Sequence, residues 1–304
     1  VDPLIAEPVG LSFSFKPKEA YFVSFSAKGG PASGGGGSLK VKTTLAALKP
    51  LLEDPKIQKV GQNLKYEIMV LKNFGIELAG VGFDTMVASY LLNPAKPNHN
   101  LDDIAMEQLG VRITATEELI GKGKDQITMD RVDIDKLTRY GCQDSDVALR
   151  LADLLSGKLK DKDMTELFEK IEMPLVSVLA GMETEGITID EKLLAQFSKE
   201  MEKGLAELTK RIHKEAGQDF NINSPKQLAE ILFDKLGLPV VKKTKTGPST
   251  DVGVLIELAA QHPLPKEILK FRELSKLKST YVDALPGLVN PRTGRVHTSF
   301  NQTV

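Results

Sequence analysis

Two pairs of polar side chains recur at a spacing of four residues, Asn63 with Glu67 and Tyr140 with Asp144. Positions i and i+4 of a helix share a face, so each pair would project together. An amide beside a carboxylate can hold a scissile phosphate near a metal ion. A phenol beside a carboxylate can orient an attacking water, while the carboxylate, a hard oxygen donor, binds a divalent cation. Taken singly, each pair is also the spacing of an ordinary solvated or capped helix face, with Tyr140 half-buried. The pairs therefore raise phosphodiester hydrolysis as a question and do not close it.

The elements that would carry them follow from the apolar pattern. Val9 to Phe15 and Ala20 to Phe25 alternate apolar residues and join at Lys16-Pro17-Lys18-Glu19, which predicts a hairpin. Gly29 to Ser38 is a Gly/Ser-rich stretch that cannot pack and reads as a flexible loop or linker. From Leu39 to about Leu159 helical and strand patterns alternate: helices over Leu45 to Glu53, Asn63 to Phe74 and Asp84 to Leu92, with strands at Val60-Gly61 and Val81 to Phe83. This mixing predicts an α/β domain. Beyond about Asp161 helices dominate. Phe197, Met201, Leu205, Leu208 and Ile212 give one long helix an apolar face, for which Leu167 to Met182 is the expected antiparallel partner. Ser224-Pro225 has the order of a cap and a first-turn proline, and Gly237 and Pro239 stop that helix. Lys242 to Ser249 reads as a basic loop, Leu264 to about Leu285 as a last helix, and Val296 to Phe300 as a strand.

The totals leave these readings open. The chain has 304 residues, enough for two domains that each bury a core. With 41% hydrophobic and 27% charged residues and no apolar run of membrane-spanning length, a soluble protein without membrane contact is expected. No secretory leader pattern is present, and the single cysteine, Cys142, excludes an internal disulfide; both fit a cytoplasmic protein. A net charge of −1 decides nothing about nucleic acid, which is bound by a local basic face. His99, His213, His262 and His297 lack metal-ligand spacing, Gly121 to Lys124 lacks the Walker pattern, and Asp84 reads as a helix cap.

In order along the chain, the two pairs resemble the second and third motifs of the DnaQ-like 3′→5′ exonucleases. The resemblance sharpens to the polymerase I branch of the family A DNA polymerases. It rests on Leu51-Leu-Glu-Asp54, Lys59-Val-Gly-Gln-Asn-Leu-Lys-Tyr66, Gly75-Ile-Glu-Leu78, Phe83-Asp-Thr-Met86, Ile120-Gly-Lys-Gly-Lys124 and Arg139-Tyr140. In the second half it rests on Ile171 to Leu175, Gly186 to Asp190, Asn223 to Leu228, Leu274 to Tyr281 and Asn290 to Thr298. The resemblance implies a ribonuclease H-like exonuclease domain over 1–160, followed over 161–304 by a mainly helical thumb and the first palm strands. It also implies a monomer.

In that family an Asp-Thr-Glu strand motif supplies two further carboxylates to a two-metal site. The sequence starts at Val1-Asp2, close to where that strand would end, so the first motif is missing, and Asp2 and Glu7 fall after it. Glu67 stands where the family has Asp, which displaces the carboxylate by on the order of 1 Å. The implied catalytic residues are Tyr140, Asp144 and Glu67, with Glu67 and Asp144 holding Mg²⁺ or Mn²⁺. Gln62, Asn63 and Tyr66 are the implied contacts to a single-stranded 3′ end. Contacts to primer–template duplex are implied for Asn221, Asn223, Ser224, Lys242, Lys243, Lys245, Lys276, Lys278, Ser279 and Thr280, whose amides, hydroxyls and ammoniums can all reach phosphates. The polymerase metal ligands and the deoxynucleotide-binding helix are expected beyond Val304. The alternatives are a catalytically silent DNA-binding module or a stand-alone ribonuclease D-like exonuclease.

Overall fold

A computed structural model describes residues 2–25, 40–245 and 247–304. The Gly/Ser-rich stretch lies outside the described residues. The chain forms two compact units: unit 1 is Val1–Glu185 with Thr298–Val304, and unit 2 is Gly186–His297. The boundary at 160 expected from the loss of strand pattern thus falls inside unit 1.

Unit 1 begins with a hairpin of β1 (Gly10–Lys16) and β2 (Glu19–Ser24), antiparallel, with Lys18 at φ 68° in its turn. Helix α1 (Val41–Leu52) follows and covers Leu11, Val23 and Phe25 of the hairpin. Next come β3 (Lys59–Gly61), α2 (Leu64–Lys72), β4 (Val81–Asp84) and α3 (Thr85–Leu92), with β3 and β4 parallel. Helices α4 (Leu101–Leu109) and α5 (Thr116–Ile120) lead to α6 (Ile134–Asp161). Helix α6 organises the unit. Its buried residues include Leu151 and Leu155, which meet Val87 and Ala88 of α3 and Ile104 of α4 in one core. Each fully buried Leu contributes about 2 kcal/mol. Against the hairpin α6 needs close approach: a Cβ on Gly141 would lie 2.8 Å from the Phe22 ring. The short α7 (Thr165–Leu167) then passes through a π-helical turn, Phe168–Glu172, into α8 (Met173–Glu185).

Unit 2 is built on α9 (Glu191–Ala216). Then follow α10 (Pro225–Ala229) with a π-helical continuation, Glu230–Lys235, and a ribbon of β5 (Lys243–Thr244) and β6 (Gly247–Pro248). Helix α11 (Val252–Leu258) and helix α12 (Pro263–Leu277) complete its core, and α12 continues through a second such turn, Lys278–Val282. The apolar face of α9 is as expected, but its partner is not Leu167 to Met182. Leu208 and Ile212 pack with Leu264, Ile268 and Phe271 of α12. The pairing is antiparallel, with Arg211 beside Glu267 and Ser198 bonded to Asp283.

The last strand also differs from expectation. The strand β8 (Arg295–Val296) pairs with β7 (Val289–Asn290) and ends there, short of Phe300. The backbone of Phe300 is bonded instead to side chains of unit 1, its N–H to Glu183 and its carbonyl to Lys65, so no ladder continues. No helix among the described residues is long and apolar enough to cross a membrane.

Candidate functional site

The first pair, Asn63 with Glu67, is positioned by a buried carboxylate. Strands β3 and β4 run parallel with Gly61 opposite Asp84, and each is followed at once by a helix, so the N-termini of α2 and α3 open at one place. Asp84, 1% exposed, fills it. Its carboxylate accepts from Met86 N–H (2.9 Å) and Val87 N–H (3.4 Å), which caps α3, and from Asn63 N–H (3.1 Å) and Leu64 N–H (2.7 Å) at the start of α2. Burial pushes the Asp84 carboxyl up, and these four N–H groups pull it back down. The cap read from the sequence is therefore half of what Asp84 does; the other half ties two helices together. The geometry holds Asn63 in the left-handed region at φ 59°, which Asn tolerates better than most residues.

Beside it, the Gln62 amide is engaged at both ends. Its Oε1 accepts from the Thr85 hydroxyl at 2.5 Å, and its Nε2 donates to the His99 carbonyl at 2.7 Å. The His99 ring is buried, bonded to Ser89 Oγ at 2.9 Å, and pushed toward its neutral form by desolvation. Gln62 thus spends its polar groups inside the fold.

Glu67 lies one turn into α2. Its surface is exposed, yet protein crowds it closely; that crowding first, and the Asp84 charge after it, push its carboxyl up to about 8. Access for a ligand follows the exposed surface, and the direction of the shift follows the crowding. The Tyr66 phenol is raised as well, by burial and then by Glu67.

The second pair sits on α6, one turn apart and half-buried. The Tyr140 hydroxyl lies 2.9 Å from Thr116 Oγ1 of α5, in hydrogen-bond reach, and is near enough to the Asp144 carboxyl to lower it. Burial, with a smaller push from the Asp102 charge, takes Asp144 up to about 7 against the pull of the Tyr140 hydroxyl. Burial and the Asp144 charge take Tyr140 up to about 12, so the phenol keeps its proton at neutral pH. Asp102 and Thr116 carry no sequence signal, because their relation to the pair is purely tertiary. Charge thus reaches from Asp144 to Tyr140, from Asp84 to Glu67 and from Glu67 to Tyr66. Among the described residues no three His, Cys, Asp or Glu side chains converge as a metal-holding group.

In unit 2 the expected duplex contacts divide. Lys243 and Lys245 are exposed at the β5–β6 ribbon, and Lys276, Ser279 and Thr280 are exposed at the end of α12. Asn223 is exposed, while Asn221 Oδ1 accepts from its N–H (3.0 Å) and Ser224 Oγ caps α10 through Gln227 N–H. Lys242 pairs with Asp251 at 2.8 Å. Lys278 is bonded to Ser198 Oγ (3.0 Å) and to Asp283 (2.7 Å). The Lys242 ammonium, with the Val254 N–H that Asp251 caps, holds the Asp251 carboxyl down at about 2.

Comparison with known proteins bears on both units. Residues 1–160 match the 3'-5' exonuclease family and residues 191–304 match DNA polymerase family A. The chain is 46% identical to DNA polymerase I of Pseudomonas aeruginosa, over 100% of the chain and 34% of that protein. It is 42% identical to DNA polymerase I of Rhizobium leguminosarum, over 99% of the chain and 31% of that protein. The chain thus spans about a third of the length of these relatives. Among solved structures, the POL domain of Pol1 from M. smegmatis, in complex with DNA primer-template and dNTP, is similar with a TM-score of 0.73 and 32% identity, over 85% of this chain and 42% of that one. A ribonuclease H-like exonuclease part followed by a mainly helical part agrees with these matches.

Proposed function

The chain belongs to the DNA polymerase I type of family A DNA polymerases, with a 3'-5' exonuclease part ahead of the polymerase part, and we propose that its two parts act on DNA by different means. Residues 1–160 hydrolyse the 3′-terminal phosphodiester of a strand; residues 161–304, the thumb and first palm strands, grip primer–template duplex for template-directed synthesis by the whole polymerase. The family A match over the second part speaks against a stand-alone ribonuclease D-like exonuclease.

The observation that carries the hydrolytic reading is the half-buried Tyr140–Asp144 pair, one turn apart on α6, with the carboxyl pushed up to about 7 and the phenol to about 12. A phenol that keeps its proton can hold an attacking water in place, and a carboxyl that sheds its proton near neutrality becomes an anionic oxygen donor beside that water. Asn63 and Tyr66, carried on the start of α2, meet the 3′-terminal nucleotide, Tyr66 by stacking on its base. Gln62 contributes by fixing the loop that presents Asn63.

The family implies dependence on a divalent metal. The donors suit a hard cation: Mg²⁺ takes one or two carboxylates and completes its shell with water and phosphate oxygens, and Glu67 and Asp144 are the carboxylates that would hold Mg²⁺ or Mn²⁺. Such an ion supplies charge stabilisation at phosphorus and a more acidic bound water. In unit 2 the exposed Lys243, Lys245 and Lys276, with Asn223, Ser279 and Thr280, are the phosphate contacts, a grip that reads no sequence.

The test is degradation of a 5′-labelled single-stranded DNA by the chain with Mg²⁺ or Mn²⁺, beside Asp144→Ala. Stepwise shortening that disappears in the variant supports hydrolysis at this site. Absence of shortening with salt-sensitive DNA binding retained makes the chain a silent DNA-binding module.

A further inference from the structure

Helix α2 is held on its other side by a second buried carboxylate. Glu183 of α8 pairs with Lys65 at 2.5 Å, with side chains only 5% and 14% exposed. The same carboxylate accepts from Phe300 N–H at 2.6 Å, and Lys65 Nζ donates to the Phe300 carbonyl. Both backbone groups of Phe300 therefore end on this ion pair. The rest of the segment 298–304 is fixed nearby: the Gln302 amide donates to the Glu172 carbonyl (2.9 Å) and carboxylate (2.8 Å), and Tyr90 donates to the Val304 carbonyl (3.0 Å). Met69 of α2 and Ala180 of α8 share an apolar cluster beneath.

Lys65 sits between Asn63 and Glu67 in the chain. Two residues of α-helix turn by about 200°, so the ion pair grips α2 on the side away from the Glu67 carboxyl. Asp84 fixes where α2 starts; the Lys65–Glu183 pair fixes its rotation. A buried ion pair of this kind is weak as a source of net stability, because desolvation offsets the attraction, but it is strongly committed to one geometry: removing one partner strands the other charge.

We infer that Glu183 is a positioning residue of the nuclease site: by joining Lys65 to Phe300 it locks α2, with Asn63, Tyr66 and Glu67, to the segment by which the chain returns to unit 1. The functional consequence rests on the reading of unit 1 as a single-strand nuclease; the mechanical part does not. In the Glu183→Ala variant the Lys65 ammonium and the Phe300 N–H lose their shared acceptor. The double variant Lys65→Met/Glu183→Gln removes both charges. Its amide oxygen can still accept from Phe300 N–H, while Met fills the place of the Lys stem.

The experiment is peptide-resolved hydrogen exchange of the chain, combined with binding of a fluorescent single-stranded oligonucleotide in EDTA. Glu183→Ala should speed exchange in residues 64–70 and 298–304 about tenfold, leave α6 unchanged, and weaken oligonucleotide binding; the double variant should recover both. Unchanged exchange in 64–70, uniform acceleration across unit 1, or failure of the double variant to recover overturns the inference. If the wild-type chain binds no oligonucleotide, the nuclease reading fails while the exchange result still decides the lock.

Discussion

The pairs Asn63/Glu67 and Tyr140/Asp144 have the same spacing and are held by different physics. On α6 the two functional groups act directly on each other, the phenol lowering the carboxyl and the carboxylate raising the phenol, and Thr116 holds the phenol from α5. On α2 they do not; the geometry there is imposed from outside, by Asp84 at the start of the helix and by Glu183 through Lys65. The first arrangement is local and depends on how closely α6 can approach the hairpin. The second is distributed over contacts far apart in sequence. A four-residue spacing therefore marks a candidate pair, and the supporting contacts decide how it can fail.

That contrast can be broken from either side. The largest effect is expected from Asp84→Ala, which leaves four N–H groups, those of Leu64 and Val87 buried, without their acceptor; unit 1 should lose about 3 kcal/mol in urea unfolding. Oligonucleotide binding through Asn63 and Tyr66 should fall with it. Next is Gly141→Ala. A Cβ 2.8 Å from the Phe22 ring forces α6 away from the hairpin and should cost about 2 kcal/mol in the same measurement. This change strikes the Tyr140 pair and spares α2.

Tyr140→Phe sharpens the comparison without unfolding anything. The Tyr140 hydroxyl lowers the Asp144 carboxyl from where burial alone would put it, so its loss should move the Asp144 titration upward in carboxyl ¹³C NMR and leave Glu67 where it was. Unit 2 supplies a further contrast, since its cations are exposed. Lys243→Ala/Lys245→Ala should reduce the salt slope of duplex binding by about 2 with no loss of stability. The smallest effect concerns Asp251. Its carboxyl is held down at about 2, so its contribution is complete above the ordinary Asp range and is lost as pH falls through that value. Faster exchange of the Val254 amide below pH 3, and not above pH 5, would show this.

Much of this was legible in the residues. The hairpin at Lys16 to Glu19, the helix over Asn63 to Phe74, the Ser224 cap and the apolar face of α9 all follow from period and turn chemistry. What the pattern does not contain is the identity of partners. Periodicity says that Leu208 and Ile212 are buried, and it is silent on α12 being what buries them. Val296 to Phe300 alternates like a strand, but the polar groups of Phe300 are claimed by Lys65 and Glu183, more than a hundred residues away. The same holds for Gln62, whose amide reads as free and is bonded to Thr85 and His99, and for Lys278, which reads as a phosphate contact and is paired with Asp283. Polar side chains are ambiguous in sequence because any donor serves the fold as well as a ligand.

The most direct test is the pH dependence of the Mn²⁺ concentration that half-saturates shortening of a 5′-labelled oligonucleotide. In the metal-free chain the Asp144 carboxyl is held up at about 7 and the Glu67 carboxyl at about 8, and both must shed a proton before they can hold an ion. The Mn²⁺ requirement is expected to fall as pH climbs from about 6 to about 9, and shortening to vanish in Asp144→Ala. A requirement independent of pH across that range, or shortening that survives Asp144→Ala, would contradict the assignment of these carboxylates.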